Sequence, residues 1–277
     1  MGLFDWLFRT NAASSREAAA LTAVAAARDE RDGRSRETEP EAWADAQFEL
    51  ARALRAYGEV RQPRGVTAAE SEAEAAARIA PFLEAEAPLR AALEVLTRER
   101  APDRWADLQQ ELARQLRRVG EIRYDDPSLL EAAADAARAA VAMRTRERAP
   151  EAWLESQLEL AEILFDSASN TRPGSQELYD AAVAAFRTAA ASTAYIDRSR
   201  SWAWTRSRLA LALMHAGSMT DAPAELRQAM LREAVQVARE AEAWAAGARD
   251  KALASDARGV ADYAETFLQM HEEGAGA

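Results

Sequence analysis

The sequence predicts an all-α solenoid of about four two-helix repeats closed by a C-terminal capping helix, and three observations carry that expectation. A tryptophan-centred pattern recurs four times at long intervals. Apolar residues fall at the three- and four-residue spacings of helices, while Val, Ile and Thr never gather into the alternating runs of a strand. Hydrophobic residues make up 49% of the chain but aromatics only 7%. Alanine, the best helix former and the smallest core filler, therefore supplies much of the core, which suits closely packed helices.

The repeat is clearest where TRERAPDRW at 97–105 returns as TRERAPEAW at 145–153. Aligned on tryptophan, the pattern Pro-x-x-Trp-x-x-x-Gln-x-x-Leu-Ala-x-x-Leu fits Pro40, Trp43, Gln47, Leu50, Ala51 and Leu54. It fits again at Pro102, Trp105, Gln109, Leu112, Ala113 and Leu116, and at Pro150, Trp153, Gln157, Leu160, Ala161 and Leu164. A fourth copy keeps Trp202, Leu209, Ala210 and Leu213 but replaces proline by Ser199 and glutamine by Arg206. Trp-to-Trp intervals are 62, 48 and 49 residues, so the first repeat holds an insertion or an elongated second helix.

Each copy reads as a first helix running from the proline, favoured in a first turn, to a glycine just past its end. The glycines are Gly58, Gly120 and Gly217, and the third copy runs instead into SASNTRPG. Alanine-rich second helices follow at 87–100, 128–148, 175–192 and 222–244. In this reading the Arg-rich half of TRERAP ends a second helix, where cations suit the exposed carbonyls. Ala-Pro turns the corner, and the structural tryptophans Trp43, Trp105, Trp153 and Trp202 wedge consecutive hairpins together. Residues 1–13 form an apolar docking segment and linker, 14–246 the repeat domain with a leading helix at 14–33, 247–272 the capping helix and 273–277 a flexible tail.

These motifs resemble the tetratricopeptide repeat family, in a long-period bacterial variant. The leucine followed by Ala51, Ala113, Ala161 or Ala210 stands where that family places Leu-Gly, and Ala182 and Phe186 match its second-helix Ala-x-x-x-Phe. The usual period of about 34 residues is exceeded, and the tryptophan sits one turn early. The resemblance implies a right-handed solenoid whose first helices line a concave groove for a protein or peptide partner. Its groove positions fall on Arg52, Arg55, Arg114 and Arg117 in the first two repeats, among Asp45, Phe48, Asp107 and Gln110. In the last two they fall on Leu158, Phe165, Trp204, Leu211 and Met214, among Glu155, Glu162 and Ser207. Such a groove suits a segment with an acidic end for paired arginines and an apolar end. The competing reading is that the arginines pair with acids on their own helices.

The opening MGLFDWLFR gathers Leu3, Phe4, Trp6, Leu7 and Phe8, four of which share one helical face. So short a helix needs a surface to fold against: its own chain, another protein or copy, or a membrane. Membrane contact is disfavoured, because only Arg9 and Arg16 supply nearby positive charge and Trp6 breaks the myristoylation pattern.

Net charge −11 argues against nucleic acid. Without cysteine there is no disulfide or thiolate chemistry. Neither His215 nor His271 belongs to a metal-ligand pair, and no phosphate-cradling or dinucleotide motif occurs. His215 is placed at a helix end, where the dipole favours its cation. No run approaches the ~20 apolar residues of a membrane span, and no secretory leader is evident, so a cytoplasmic location is expected. The reading is a non-catalytic interaction scaffold or adaptor without cofactor or metal. The alternatives are a structural subunit of a homo-oligomer, assembled through the N-terminal segment, and a peripheral membrane-associated or regulatory adaptor of an enzyme complex.

Overall fold

Helices account for every regular element among the described residues, which in this computed structural model are 3–61, 72–123, 126–170, 175–192, 199–219 and 222–275. Side chains of residues 3–14, 72, 75 and 271–275 are outside the description. The helices are α1 Leu3–Asp32, α2 Pro40–Val60, α3 Glu72–Leu93, α4 Pro102–Ile122, α5 Pro127–Met143, α6 Pro150–Asn170, α7 Gln176–Ala190, α8 Arg200–Ser218, α9 Ala224–Gly247 and α10 Lys251–Ala275. They fall into two compact units, Met1–Met143 and Arg144–Ala277. Within each unit every helix packs on the next, and α10 also packs on α8. The chain is thus all-α, with the predicted two-helix repeats as α2–α3, α4–α5, α6–α7 and α8–α9. Leu3, Phe4, Trp6, Leu7 and Phe8 lie at the start of α1, and their side chains are outside the described residues.

The motif residues form the core. Leu50, Leu112, Leu160 and Leu209 are buried, and so are Leu54, Leu116, Leu164 and Leu213 one turn on. Between them Ala51, Ala113, Ala161 and Ala210 are each fully buried, because a neighbouring helix lies where a larger side chain would project. Trp202 sits in an apolar cluster with Leu154, Ala189, Ala203, Ala245, Leu253 and Ala254, with Trp153 and Trp244 packed against its edge.

The second helix of the first repeat is elongated, as one reading of the long first interval allowed, but its bounds differ from those expected. It runs from Glu72 to Leu93 rather than over 87–100, straight through Pro81 and Pro88. Proline costs a helix interior about 3 kcal/mol, and this penalty misdirects a reading by propensity. Burial of Ile79, Phe82, Ala85, Leu89 and Ala92 along one face offsets it. The residues TRER are correspondingly not helical, because α3 ends at Leu93 and α5 at Met143.

Those residues instead build a turn used three times. Ala101 N–H donates to the Thr97 carbonyl (3.0 Å), Ala149 N–H to that of Thr145 (3.0 Å) and Glu39 N–H to that of Ser35 (2.9 Å). SRETEPEAW at 35–43 is therefore a third copy of the joint. In each copy the initial hydroxyl accepts a backbone N–H three residues on: from Thr38 to Ser35, from Arg100 to Thr97 and from Arg148 to Thr145. This is the local bonding that suits Ser and Thr to turns. The arginine that follows reaches the end of a later second helix. Arg36 binds Glu94 just past α3 (2.7 Å), Arg98 Nε donates to Met143 Sδ at the end of α5 (3.0 Å), and Arg146 donates to the Ala191 carbonyl just past α7 (2.9 Å). Ahead of α8, Ser199 takes the place of proline and accepts from Trp202 N–H (3.3 Å) as an N-cap.

The closing glycines also sit differently from the reading. Gly58, Gly120 and Gly217 lie inside the last turn of α2, α4 and α8 rather than beyond it. What demands glycine there is proximity. A Cβ would come within 2.6 Å of the Phe82 ring at Gly58, 2.9 Å of Leu130 at Gly120, and 2.9 Å of Leu231 and 3.0 Å of the Arg227 carbonyl at Gly217. The third copy has a fully buried Ala168 at this position. Gly217→Ala is the informative test, since a backbone carbonyl cannot rotate away as a side chain can. Alanine's helix propensity alone favours the substitution by about 1 kcal/mol, but overpacking costs about 1–3 kcal/mol. Urea unfolding of Gly217→Ala is expected to show a net loss, whereas a gain would contradict the close approach.

Candidate functional site

Counting from each repeat tryptophan, the groove positions lie two, five, nine and twelve residues on. In unit 1 the four arginines at the last two positions close onto the chain's own acids. Arg52, the most exposed, pairs with Glu49 (3.1 Å) and lies over the Phe48 ring. Arg55 bridges Glu59 (2.8 Å) and, on α4, the fully buried Glu111 (2.6 Å). Arg114 also approaches Glu111 (3.8 Å), and Arg117 pairs with Glu121 (3.1 Å). Gln115 Nε2 completes the buried group by donating to Glu111 Oε1 (3.0 Å) and the Ala51 carbonyl (3.3 Å). Burial works against the charge of Arg55, but the pull of Glu111 and Glu59 outweighs it and raises its pKa. These contacts tie α2 to α4, so a partner carboxylate would have to displace them.

Unit 2 has an equivalent tie of reversed polarity. Arg208 of α8 holds the buried Glu162 of α6 through two bonds (2.5 and 2.7 Å), with its guanidinium over Phe165. Phe165 and Met214 are buried here, while Leu158, Trp204 and Leu211 are half-buried. Phe165 meets Tyr179 and His215 edge-on, and His215 stacks on Tyr179 with centroids 5.4 Å apart. Burial, and then the charge of Arg208, lower the His215 pKa. The expected cation at this helix end is thus overturned, and the neutral imidazole is the favoured form.

Of the groove positions, Glu155, Leu158 and Trp204 line one cleft in unit 2, and Asp45, Phe48 and Asp107 line one in unit 1, at the N-terminal ends of neighbouring first helices; the four arginines, Phe165, Leu211 and Met214 line neither. In unit 2 a cleft of about 530 Å³ opens between α6 and α8, lined by Glu151, Leu154, Glu155, Leu158, Ser199, Arg200, Ser201 and Trp204. Leu154, Leu158 and Trp204 belong to or pack on the apolar cluster around Trp202, so its floor is the exposed edge of that core. Glu151 and Glu155, one turn apart, are exposed at its rim. Arg200 is held on Asp250 (2.7 Å), whose carboxyl it lowers below the usual range.

In unit 1 the same register encloses about 240 Å³, lined by Asp45, Phe48, Glu49, Leu96, Arg104, Asp107 and Leu108. There Arg104 reaches from the start of α4 to Glu41 Oε2 (2.9 Å), the Glu41 carbonyl (3.2 Å) and the Asp45 carboxylate. Its bond to Asp45 is the leading cause of its raised pKa. Reading by the groove positions misses Arg104, Ser201, Glu151 and Leu154. A signal for Arg104 and Ser201 existed in the residue before each tryptophan, which runs Ala42, Arg104, Ala152 and Ser201.

Among the described residues no group of three or more His, Asp or Glu side chains could hold a metal ion, and no helix is long and apolar enough to cross a membrane. No protein-family profile matches the chain, and no curated protein matches it. Among solved structures, the chain is similar to a de novo designed helical repeat protein, at 17% identity over 83% of this chain and 95% of that one, with a TM-score of 0.32. It is also similar to a chain from a study of computationally designed self-assembling cyclic homo-oligomers, at 16% identity over 95% and 97%, with a TM-score of 0.24.

The environment of His215 makes a pH prediction. With a folded-state pKa below the ordinary 6.5, the unfolded chain takes up this proton first as pH falls. The stabilising contribution is full above pH 6.5 and declines as pH falls toward the lowered folded value. His215→Gln removes that term. Between about pH 7.5 and 5.5 the wild type is expected to lose more stability in urea titrations than the variant. Parallel curves would contradict the lowered pKa.

Proposed function

We propose that this chain is a non-catalytic interaction scaffold that holds a segment of a partner protein in the cleft between α6 and α8. The observation that carries the reading is Trp204. At its register the other three first helices have Asp45, Asp107 and Glu155, all exposed. The fold therefore accepts an acid at this position, and a half-buried indole on the cleft floor is not a packing requirement. A rigid aromatic beside an apolar floor and a charged rim has the make-up of an interface anchor. The tetratricopeptide resemblance supports the same face, since it directs ligands to the first helices. The role needs no catalytic group or cofactor, and its setting is proposed to be cytoplasmic.

A photo-crosslinking amino acid at position 158 identifies the partner, and purified components then give its affinity. Trp204→Ala is expected to weaken binding by about 2 kcal/mol or more, roughly thirtyfold, with the circular dichroism spectrum retained. Tyr263→Ala, on the exposed face of α10, is expected to leave binding unchanged. Equal binding by wild type and Trp204→Ala would refute the reading.

A further inference from the structure

Two helices keep an uncovered apolar face, one in each unit. In unit 1, α1 stands as a second helix. The joint at 35–43 follows it as the joints at 97–105 and 145–153 follow α3 and α5. Its Arg28 binds Glu84 of α3, as Arg187 of α7 binds Glu233 of α9 (2.5 Å). Yet among its described side chains, residues 15–32, Val24 alone is buried, whereas α5 buries Leu130, Ala133, Ala134, Ala137 and Ala140. Leu21 is 49% exposed, and Ala18 and Ala25 are exposed beside it on one helical face. In unit 2, α10 is the counterpart. Its Leu253 and Ala254 enter the Trp202 cluster as Trp202 and Ala203 do from α8, but no second helix follows it among the described residues. Val260, Tyr263, Phe267 and Met270 form a stripe at spacings of three, four and three. Tyr263 is 66% and Met270 62% exposed, with Val260 and Phe267 half-buried. Spacing of this kind is the seam along which helices pair.

We propose that the α10 stripe is covered by α1 of a second copy, running antiparallel, so that copies join head to tail. Charge fixes the register. Asp29 is exposed near the end of α1, and Arg249 and Lys251 are exposed at the start of α10. With Asp29 level with Lys251, Leu21 falls against Gly259 and Val260, Ala18 against Tyr263, and Ala25 against Asp256. Sizes then complement one another. No atom lies within 4 Å of where a Cβ would stand at Gly259, which leaves room for a leucine, and a tyrosine meets an alanine as Phe82 meets Gly58. Two α10 stripes facing each other would instead set Tyr263, Phe267 and Met270 against their own kind. The α1 spacing, followed back along the sequence from Ala18, reaches Leu7 and Phe4. Each copy gives one surface and receives on another, an arrangement that closes into a ring or continues as a filament. The cleft between α6 and α8 takes no part in it.

The chain has no cysteine, so introduced thiols report the contact cleanly. Full-length Ala18→Cys and Tyr263→Cys proteins are mixed, oxidised and run on non-reducing gels. The mixture is expected to form a disulfide-linked dimer that neither protein forms alone. Ala25→Cys mixed with Asp256→Cys is expected to do the same, which a parallel arrangement forbids. By light scattering the wild-type mass rises with concentration from about 1 to 100 μM. Tyr263→Asp/Met270→Asp, altered only at exposed positions, keeps its circular dichroism spectrum and associates at least about tenfold more weakly. A wild type that stays monomeric over this range would overturn the proposal. Cross-linking of Tyr263→Cys with itself as strong as in the mixture would overturn it in favour of paired α10 helices. A disulfide formed only within one chain of Ala18→Cys/Tyr263→Cys would overturn it in favour of the chain's own α1.

Discussion

Close approach of two helices at the end of each hairpin is the constraint on which the rest depends. Fifteen residues after the tryptophan the chain has Gly58, Gly120, Ala168 and Gly217. At the three glycines the space a side chain would take is filled by Phe82, Leu130 and Leu231, all of which are buried. Protein interiors tolerate few voids and little overlap, so a large residue on the second helix and none on the first is one solution repeated. It also explains the alanine content. Helices brought this near leave room for a methyl group at positions such as Ala51 and Ala210, and the aromatic residues are spread sparingly along the seams.

The opposite end of each repeat is fixed by the joints. A hydroxyl at Ser35, Thr97 or Thr145 organises the turn, and the following arginine fastens a second helix that lies later in the chain. The three acceptors are a carboxylate, a thioether and a backbone carbonyl, so the arginine's position is shared while its chemistry is not. Five N–H donors on a rigid plane make arginine suited to such varied partners. The nine-residue repeat is therefore a structural joint whose first two residues each make a defined contact.

How much of this was legible follows from the range of each interaction. The tryptophan pattern, the first helices and their buried leucines were legible, because helical periodicity is local and recurs at four places. The span of α3 was not, since Pro81 and Pro88 oppose a helix that only tertiary burial sustains. The glycines were recognised as helix-end signals but for the wrong reason, as Phe82 approaches from 24 residues away. Glu162 was named only as a groove position and Glu111 was not singled out. Their burial depends on Arg55 and Arg208, 56 and 46 residues distant, and no local pattern announces such pairs. His215 was placed at a helix end, yet its neighbours, not the dipole, govern its charge. Among the groove positions, the cleft residues Leu158 and Trp204 were named, whereas Ser201 and Glu151 fall one and two residues ahead of a tryptophan, off the groove pattern.

A repeat protein can vary only where packing leaves it free, and this chain shows which positions those are. The leucines and small residues that fill the seams hardly change from copy to copy. The residue before the tryptophan and the second residue after it do change, from Ala42 and Asp45 to Arg104 and Asp107, then Ala152 and Glu155, and finally Ser201 and Trp204. Both positions open on the ends of the first helices, so their variation alters the surface without disturbing the core. In unit 1 the combination closes the surface with an internal ion pair. Such an exposed pair contributes about 0–1 kcal/mol to stability, so exchanging it for a hydroxyl and an indole costs the fold little. The exchange leaves an acidic, aromatic recess on the same backbone, with no departure from the repeat.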